Sequence, residues 1–293
     1  MAQNEDGSSY KRIAVAIVHG IGKQKPDFAD ELIVKLTQRF AERLPGKVPD
    51  PGAQIVIEPI YWAPVMEEEE ELLWKRLNRE GKLDFIKLRQ FMVEFGADAL
   101  AYQPLPRERD IYEAVHSVVA CGFKNLAEKT GPTTPLCVIA HSLGTVIASN
   151  YLYDLQKGFD FLPVGVQEHH SRTPLEMGET LTFFYTLGSP IALWSLRYSD
   201  FGVPIAVPSP DLFKHHPDLA GEWINFYDAD DVIGFPLRPL NEAYRKMVKK
   251  DVPVNVGSFL VSWSPLSHMH YWTDDDVIEP IAASLARAWR RIN

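Results

Sequence analysis

The sequence predicts an α/β architecture: a mostly parallel central sheet with helices on both faces, in one domain that carries a helical insertion. Three observations lead there. Short apolar runs alternate with amphipathic stretches along the whole chain. The most distinctive polar residues stand just after apolar runs, where the carboxyl ends of parallel strands gather reactive groups. The chain has 293 residues, 46% of them hydrophobic, which is enough for a substantial core.

The elements follow in order. Ile13 to Val18 is an apolar run that ends in His19-Gly20-Ile21-Gly22, a strand entering a glycine-bearing turn. Phe28, Leu32, Leu36, Phe40 and Leu44 recur at every fourth position and mark an amphipathic helix. Ala53 to Trp62 is a second strand. The stretch 64–107 is too long for an ordinary connection and is expected to be a helical, lid-like insertion. It opens on Glu67 to Glu71, whose charge suits the first turn of a helix, and continues through Phe91, Phe95 and Leu100. Ile111 to Glu128 reads as a helix, Leu136 to Ala140 as a strand and Leu143 to Leu155 as a helix. Gln156 to Glu179 is expected to be a loop, with His169 and His170 as surface residues. Strands follow at Leu181 to Leu187, Trp223 to Tyr227 and Val252 to Trp263. The last helix runs from about Thr273 to Arg291, with Thr273 and Asp276 as a capping-box-like start. No internal repeat or linker divides the chain, so residues 1–293 form a single domain with the insertion.

Composition narrows the function. The net charge of −9 disfavours broad nucleic-acid binding, which needs a positive field. The two cysteines, Cys121 and Cys137, lack metal-site spacing and are expected to be buried free thiols. No metal is expected. The polar, acidic N-terminus lacks the basic start and apolar core of a signal peptide. No apolar run approaches the roughly 18–20 residues that span a bilayer. A cytoplasmic location is the expectation.

Ala140-His141-Ser142-Leu143-Gly144 lies between a strand and a helix. A serine on so sharp a turn needs small residues two before and two after it, because strand and helix approach closely there. The usual pattern is G-x-S-x-G; Ala140 replaces the first glycine and is still small. The competing role for Ser142 is a plain helix cap. A nucleophilic serine needs a base, and a base needs an acid to orient it. Asp231, in Asp228-Ala229-Asp230-Asp231, is chosen as the acid over Asp228, because it sits a few residues past the strand and before Val232-Ile233. His268 and His270 compete as the base. The oxyanion donors are expected at the amides of Ile21, with Gly20 close behind, and of Leu143. Gly20, His141 and Ser189 are assigned to substrate binding. The glycine turn matches neither nucleotide-binding pattern, so a nucleotide site is discounted.

With these residues in view, the sequence resembles the α/β-hydrolases. It is most similar to bacterial serine esterases and lipases that carry Val-His-Gly-Ile-Gly near the start and His-Ser-Leu-Gly in the middle. The resemblance extends over almost the whole chain, through Tyr61-Trp62, the 96–102 segment and Thr186-Leu187-Gly188-Ser189-Pro190. The form of His268-Met269-His270-Tyr271-Trp272 points to His268 as the base. Asn225-Phe226-Tyr227-Asp228 with Asp231 has a fainter similarity to the acid-bearing segment of DDHD-type phospholipases, with Val232 in place of a proline.

The function this implies is hydrolysis of carboxylic esters by Ser142, His268 and Asp231 through an acyl-enzyme, on a small-molecule or lipid ester. The competing readings are a lipase or phospholipase at a membrane surface, and an inactive hydrolase fold used as a binding module.

Overall fold

The computed structural model describes residues 10–20, 24–77, 102, 110–256, 268 and 270–293. Six strands make one sheet: β1 (Ile13–Val18), β2 (Ile55–Ile60), β3 (Leu136–His141), β4 (Leu181–Leu187), β5 (Glu222–Asp228) and β6 (Val248–Val254). Their order is β2-β1-β3-β4-β5-β6, and every neighbouring pair is parallel. The helices are α1 (Asp30–Ala41), α2 (Glu67–Leu77), α3 (Asp110–Thr130), α4 (Leu143–Lys157), α5 (Val164–Gln167), α6 (Ile191–Ser195), α7 (Leu212–His215), α8 (Glu242–Met247) and α9 (Asp275–Ile292).

The central strands read as unbroken apolar runs because helices cover both of their faces. In β1, Ala14, Ala16 and Val18 join one core with Val115, Val119 and Phe123 of α3 and Ile147 and Tyr151 of α4. Ile13, Val15 and Ile17 point the other way, into a second core with Leu32, Leu36 and Phe40 of α1 and Val277, Ile281 and Leu285 of α9. The polar residues buried within these strands, such as Thr186 and Asn225, are hydrogen-bonded to one another across the sheet. Each outer strand of the described sheet carries a proline, Pro59 in β2 and Pro253 in β6. A proline cannot donate to a ladder and is tolerated at an edge.

The strand order reverses beside β1. From β1 the chain steps outward to β2, then returns to place β3 on the other side of β1. The turns after β1 and β3 thus open the crevice at the carboxyl edge, the position where open α/β sheets bind ligands. His19-Gly20 and Ser142 both lie there.

Several boundaries differ from the sequence expectation. Strand β6 starts at Val248, four residues before Val252; residues 257–263 of that expected strand lie outside the described residues. The expected loop 156–179 contains α5 and a 3₁₀ turn at Phe159–Phe161. Helix α9 is capped by Asp274, whose Oδ1 accepts the Asp276 amide at 2.8 Å, and not by Thr273. Thr273 closes the preceding 3₁₀ turn, and its carbonyl accepts the Lys35 ammonium at 2.6 Å. Cys137 is buried as expected, but Cys121 is exposed: it faces away from the α3 stripe formed by Val119, Ala120 and Phe123. Of the expected 64–107 insertion, α2 is helical from Glu67, and Tyr102 is buried. Residues 78–101 and 103–107 lie outside the described residues, with Phe91, Phe95 and Leu100 among them. No helix among the described residues is long and apolar enough to cross a membrane.

The turn after β1 packs closely against the start of α4. A Cβ on Gly144 would lie 2.3 Å from the His19 carbonyl oxygen and 2.6 Å from that of Val18. Gly46, by contrast, has nothing within 4 Å of its Cβ position. Gly144→Ala should cost about 1–3 kcal/mol in urea unfolding, through overpacking against rigid backbone, and Gly46→Ala should be within about 0.5 kcal/mol of wild type.

Candidate active site

Ser142 joins β3 to α4 with φ 52° and ψ −131°, a conformation rare for any residue with a side chain. Such strain costs on the order of 1–3 kcal/mol and persists only where the surroundings enforce it. Here they do. The Ser142 amide donates to the Leu187 carbonyl at 3.0 Å, at the end of β4. The Ser142 carbonyl accepts both the Thr145 amide at 2.9 Å and the Thr145 hydroxyl at 2.7 Å. With its one proton spent there, Thr145 accepts the Ser189 hydroxyl at 2.8 Å, and Ser189 accepts the Ile191 amide at 3.3 Å. A directed chain of hydrogen bonds therefore ends on the serine backbone. The Ser142 side chain makes no capping bond, although it stands at the N-cap position of α4. Its Oγ is buried and bonds to no described residue. The Ala140 methyl sits within the core on the α3–α4 side, which is how the motif tolerates alanine there.

Glycine is required opposite the serine. A Cβ on Gly20 would lie 2.4 Å from Ser142 Cβ, so the two turns nest backbone against side chain. His19 holds that turn in place. Its Nδ1–H donates to the Gly20 carbonyl at 2.7 Å, while Nε2 accepts the Trp62 and Ala63 amides at 3.0 and 3.3 Å. The Trp62 indole returns a bond to the His19 carbonyl at 2.9 Å and stacks on the imidazole, centroids 4.8 Å apart and 8° from parallel. Two amide donors on Nε2 require a neutral ring, and burial lowers the His19 pKa to about 4, against a smaller opposing effect of the Gly20 carbonyl. Sequence reasoning missed this role. The available signal was His19 next to Gly20, with Trp62 at the end of the neighbouring strand.

The turn after β5 presents Asp231. Its Oδ2 accepts His268 Nδ1–H at 2.7 Å and the Tyr271 hydroxyl at 2.9 Å, and its Oδ1 accepts the Ile233 amide at 2.9 Å. Burial pushes the Asp231 carboxyl up, but the bonds from His268, Ile233 and Tyr271 outweigh it and leave the group below its ordinary range. The bond to Asp231 fixes the proton of His268 on Nδ1 and makes Nε2 the basic nitrogen of the ring. Asp228, the competing acid, is occupied by the turn itself: Oδ1 accepts the Asp230 amide at 2.8 Å and Oδ2 the Val256 amide at 2.7 Å. His270, the competing histidine, is exposed.

The structure thus joins Asp231 to His268, and it brings Gly20 against Ser142. His141 links the two groups, because its Nε2–H donates to the His268 carbonyl at 2.7 Å and its ring packs 4.7 Å from that of His268. His141, expected in substrate binding, is buried here and holds the His268 segment. Ser189, expected beside it, is buried too, and its hydroxyl belongs to the chain that ends on Ser142. The Leu143 amide opens α4, where helix N–H groups have no intrahelical acceptor. Ile21, the other expected oxyanion donor, lies outside the described residues.

The parallel strand order brings the strained Ser142 between β3 and α4, and the hydrogen-bonded Asp231 and His268 that follow β5 and β6, to one edge of an α/β sheet. No protein-family model and no curated protein matches the sequence. Among solved structures, the chain is similar to a dienelactone hydrolase from Anabaena variabilis, at 11% identity over 96% of this chain and 86% of that one, with a TM-score of 0.41. It is similar also to one of two fungal esterases from Rhizomucor miehei, at 12% identity, 97% and 77% coverage and a TM-score of 0.45. A third is a metagenome-derived lipolytic enzyme of the LipS and LipT pair, at 12% identity, 98% and 96% coverage and a TM-score of 0.42.

Three buried histidines make acid stability a test of this geometry. Burial lowers His19 to about 4 and His116 to about 3, and burial followed by the charge of His268 lowers His141 to about 3, all from an ordinary 6.5. Each folded-state value lies below the unfolded one, so the unfolded chain takes up protons first. The stability these groups contribute is complete above pH 6.5 and is lost as pH falls toward 4 and then 3. Urea midpoints should drop across that window, with up to about 1.4 kcal/mol per pH unit from each histidine. His116→Gln should give a shallower slope.

Proposed function

We propose that the protein is a serine hydrolase that cleaves carboxylic esters through an acyl-enzyme on Ser142. The observation that carries this reading is the strained Ser142 turn, whose neighbour His141 holds the segment of His268, a histidine with its proton fixed by a buried, ionised aspartate. Strain of this kind serves to present an Oγ above the sheet edge, and a plain cap has no need of it.

In the proposed reaction, His268 Nε2 takes the Ser142 proton as Oγ attacks the ester carbonyl. Asp231 orients the imidazole and balances the charge it gains. The Leu143 amide donates to the oxyanion, with a second donor from the turn after β1. The tetrahedral intermediate collapses, His268 protonates the departing alcohol, and water repeats the sequence on the acyl-enzyme to release the acid. Contact between Oγ and Nε2 in hydrolases often tightens only with substrate present. No cofactor is needed for these steps.

A second reading, a lipase acting on lipid esters at a surface, is favoured by exposed apolar side chains following β2 and β4. Leu72, Leu73 and Leu77 are exposed on α2, and Leu193, Leu196, Phe201 and Val203 on and after α6. Both segments leave the carboxyl edge that carries Ser142.

Turnover of p-nitrophenyl esters of increasing acyl length tests both readings. Ser142→Ala and His268→Ala should each lose about 10⁴-fold or more in kcat. His270→Ala should stay within a few-fold of wild type. Absence of Ser142-dependent turnover on every ester would sink the enzyme reading in favour of a binding module. A sharp rise in rate above the substrate's aggregation point would favour the lipase.

A further inference from the structure

We infer that Tyr271 is a positioning residue that sets how tightly Asp231 holds the protonated ring of His268. The inference rests on the reading of Ser142, His268 and Asp231 as a triad and adds a member that this reading does not contain.

The wiring leaves one proton arrangement. The Asp228 amide reaches the Tyr271 oxygen at 2.8 Å, and an amide can only donate, so the phenol oxygen is the acceptor there. The single phenol proton then goes to Asp231 Oδ2 at 2.9 Å. This is the same oxygen that receives His268 Nδ1–H at 2.7 Å, while Oδ1 is occupied by the Ile233 amide. Tyrosine and histidine therefore compete for one carboxylate oxygen. Burial, and then the charge of Asp231, push the Tyr271 hydroxyl far up, so it remains a donor at every working pH.

The surroundings are shaped around that oxygen. A Cβ on Gly234 would lie 2.7 Å from Asp231 Oδ2, and one on Gly188 would lie 2.9 Å from the same atom and 2.8 Å from Tyr271 Cε2. Two glycines thus clear the space that the carboxylate oxygen and the phenol ring share. Gly188 adopts φ +53°, which suits glycine in any case. Tyr271 is itself fully buried, packed between the rings of His141 and His268 at centroid distances of 5.7 and 6.3 Å. The titratable groups facing it are Asp231, Asp228, His141 and His268, and the two carboxylates carry the nearest charges.

A second donor on Oδ2 spreads the carboxylate charge and weakens its pull on the imidazolium. Removing that donor stabilises protonated His268, which is the form that cannot act as a base. The active form then requires higher pH. Tyr271→Phe keeps the ring and removes only the hydroxyl. Its acid limb of kcat/KM against pH should move upward by about half a pH unit or more, since hydrogen bonds to charged groups are the stronger kind. Placing 3-fluorotyrosine at 271 alone keeps both bonds and strengthens the donor, so its limb should move down.

A second readout needs no substrate. The His268 Nδ1 proton, observed by NMR in ¹⁵N-histidine-labelled protein, should move further downfield in Tyr271→Phe as the bond to Asp231 tightens. Limbs and proton shift unchanged in both variants, whatever happens to melting temperature, would overturn the inference and leave Tyr271 a packing residue. Wild type without Ser142-dependent turnover would overturn the triad reading instead, and the NMR shift would still report on the Tyr271 bond.

Discussion

Everything at the carboxyl edge depends on how closely two backbone turns approach each other. The turn after β1 meets the turn after β3 with no side chain between them, because Gly20 lies against Ser142 and Gly144 against the carbonyls of Val18 and His19. Neither contact survives the addition of a methyl group at its present spacing. The approach fixes Ser142 in its positive-φ conformation and aligns the first residues of α4. It also explains why the serine turn is braced from a third side by the Leu187 carbonyl. Strain at one residue is offset by packing and hydrogen bonding spread over three strand ends.

The polar interior of this region is organised by neutral histidines. His19 and His141 do related work on opposite sides of the serine. One ring grips the turn after β1, and the other grips the segment that carries His268. Both are useful because a neutral imidazole is rigid and offers a donor and an acceptor at fixed positions. Trp62 completes the first of these arrangements from just beyond the end of β2, so two neighbouring strands contribute to one loop.

Much of the fold was legible in the sequence because both faces of the central strands are buried, which turns them into apolar runs with sharp ends. The residues at those ends stood out for the same reason. Ser142, Asp231 and His268 stand where a polar group is otherwise hard to explain. What the sequence concealed was the second layer. His141 and Ser189 occupy strand ends too, and position alone does not separate a group facing a ligand from one holding its neighbour. Their hydrogen bonds show what each one holds: His141 the His268 carbonyl, Ser189 the Thr145 hydroxyl. Asp228 and Asp231 illustrate the point: both follow β5, but Asp228 spends its oxygens on two local amides, while Asp231 keeps one for a side chain 37 positions away. Boundaries failed where short-range cues misled, as at Thr273, whose carbonyl accepts Lys35 while Asp274 takes the cap.

The prolines of the outer strands carry a consequence for assembly. An edge strand whose outward rim is interrupted by a pyrrolidine ring offers a broken row of donors to any incoming strand. Pro59 and Pro253 impose that interruption on both rims of the described sheet. Copies of this molecule therefore have little to gain by joining rim to rim into a continuous intermolecular sheet.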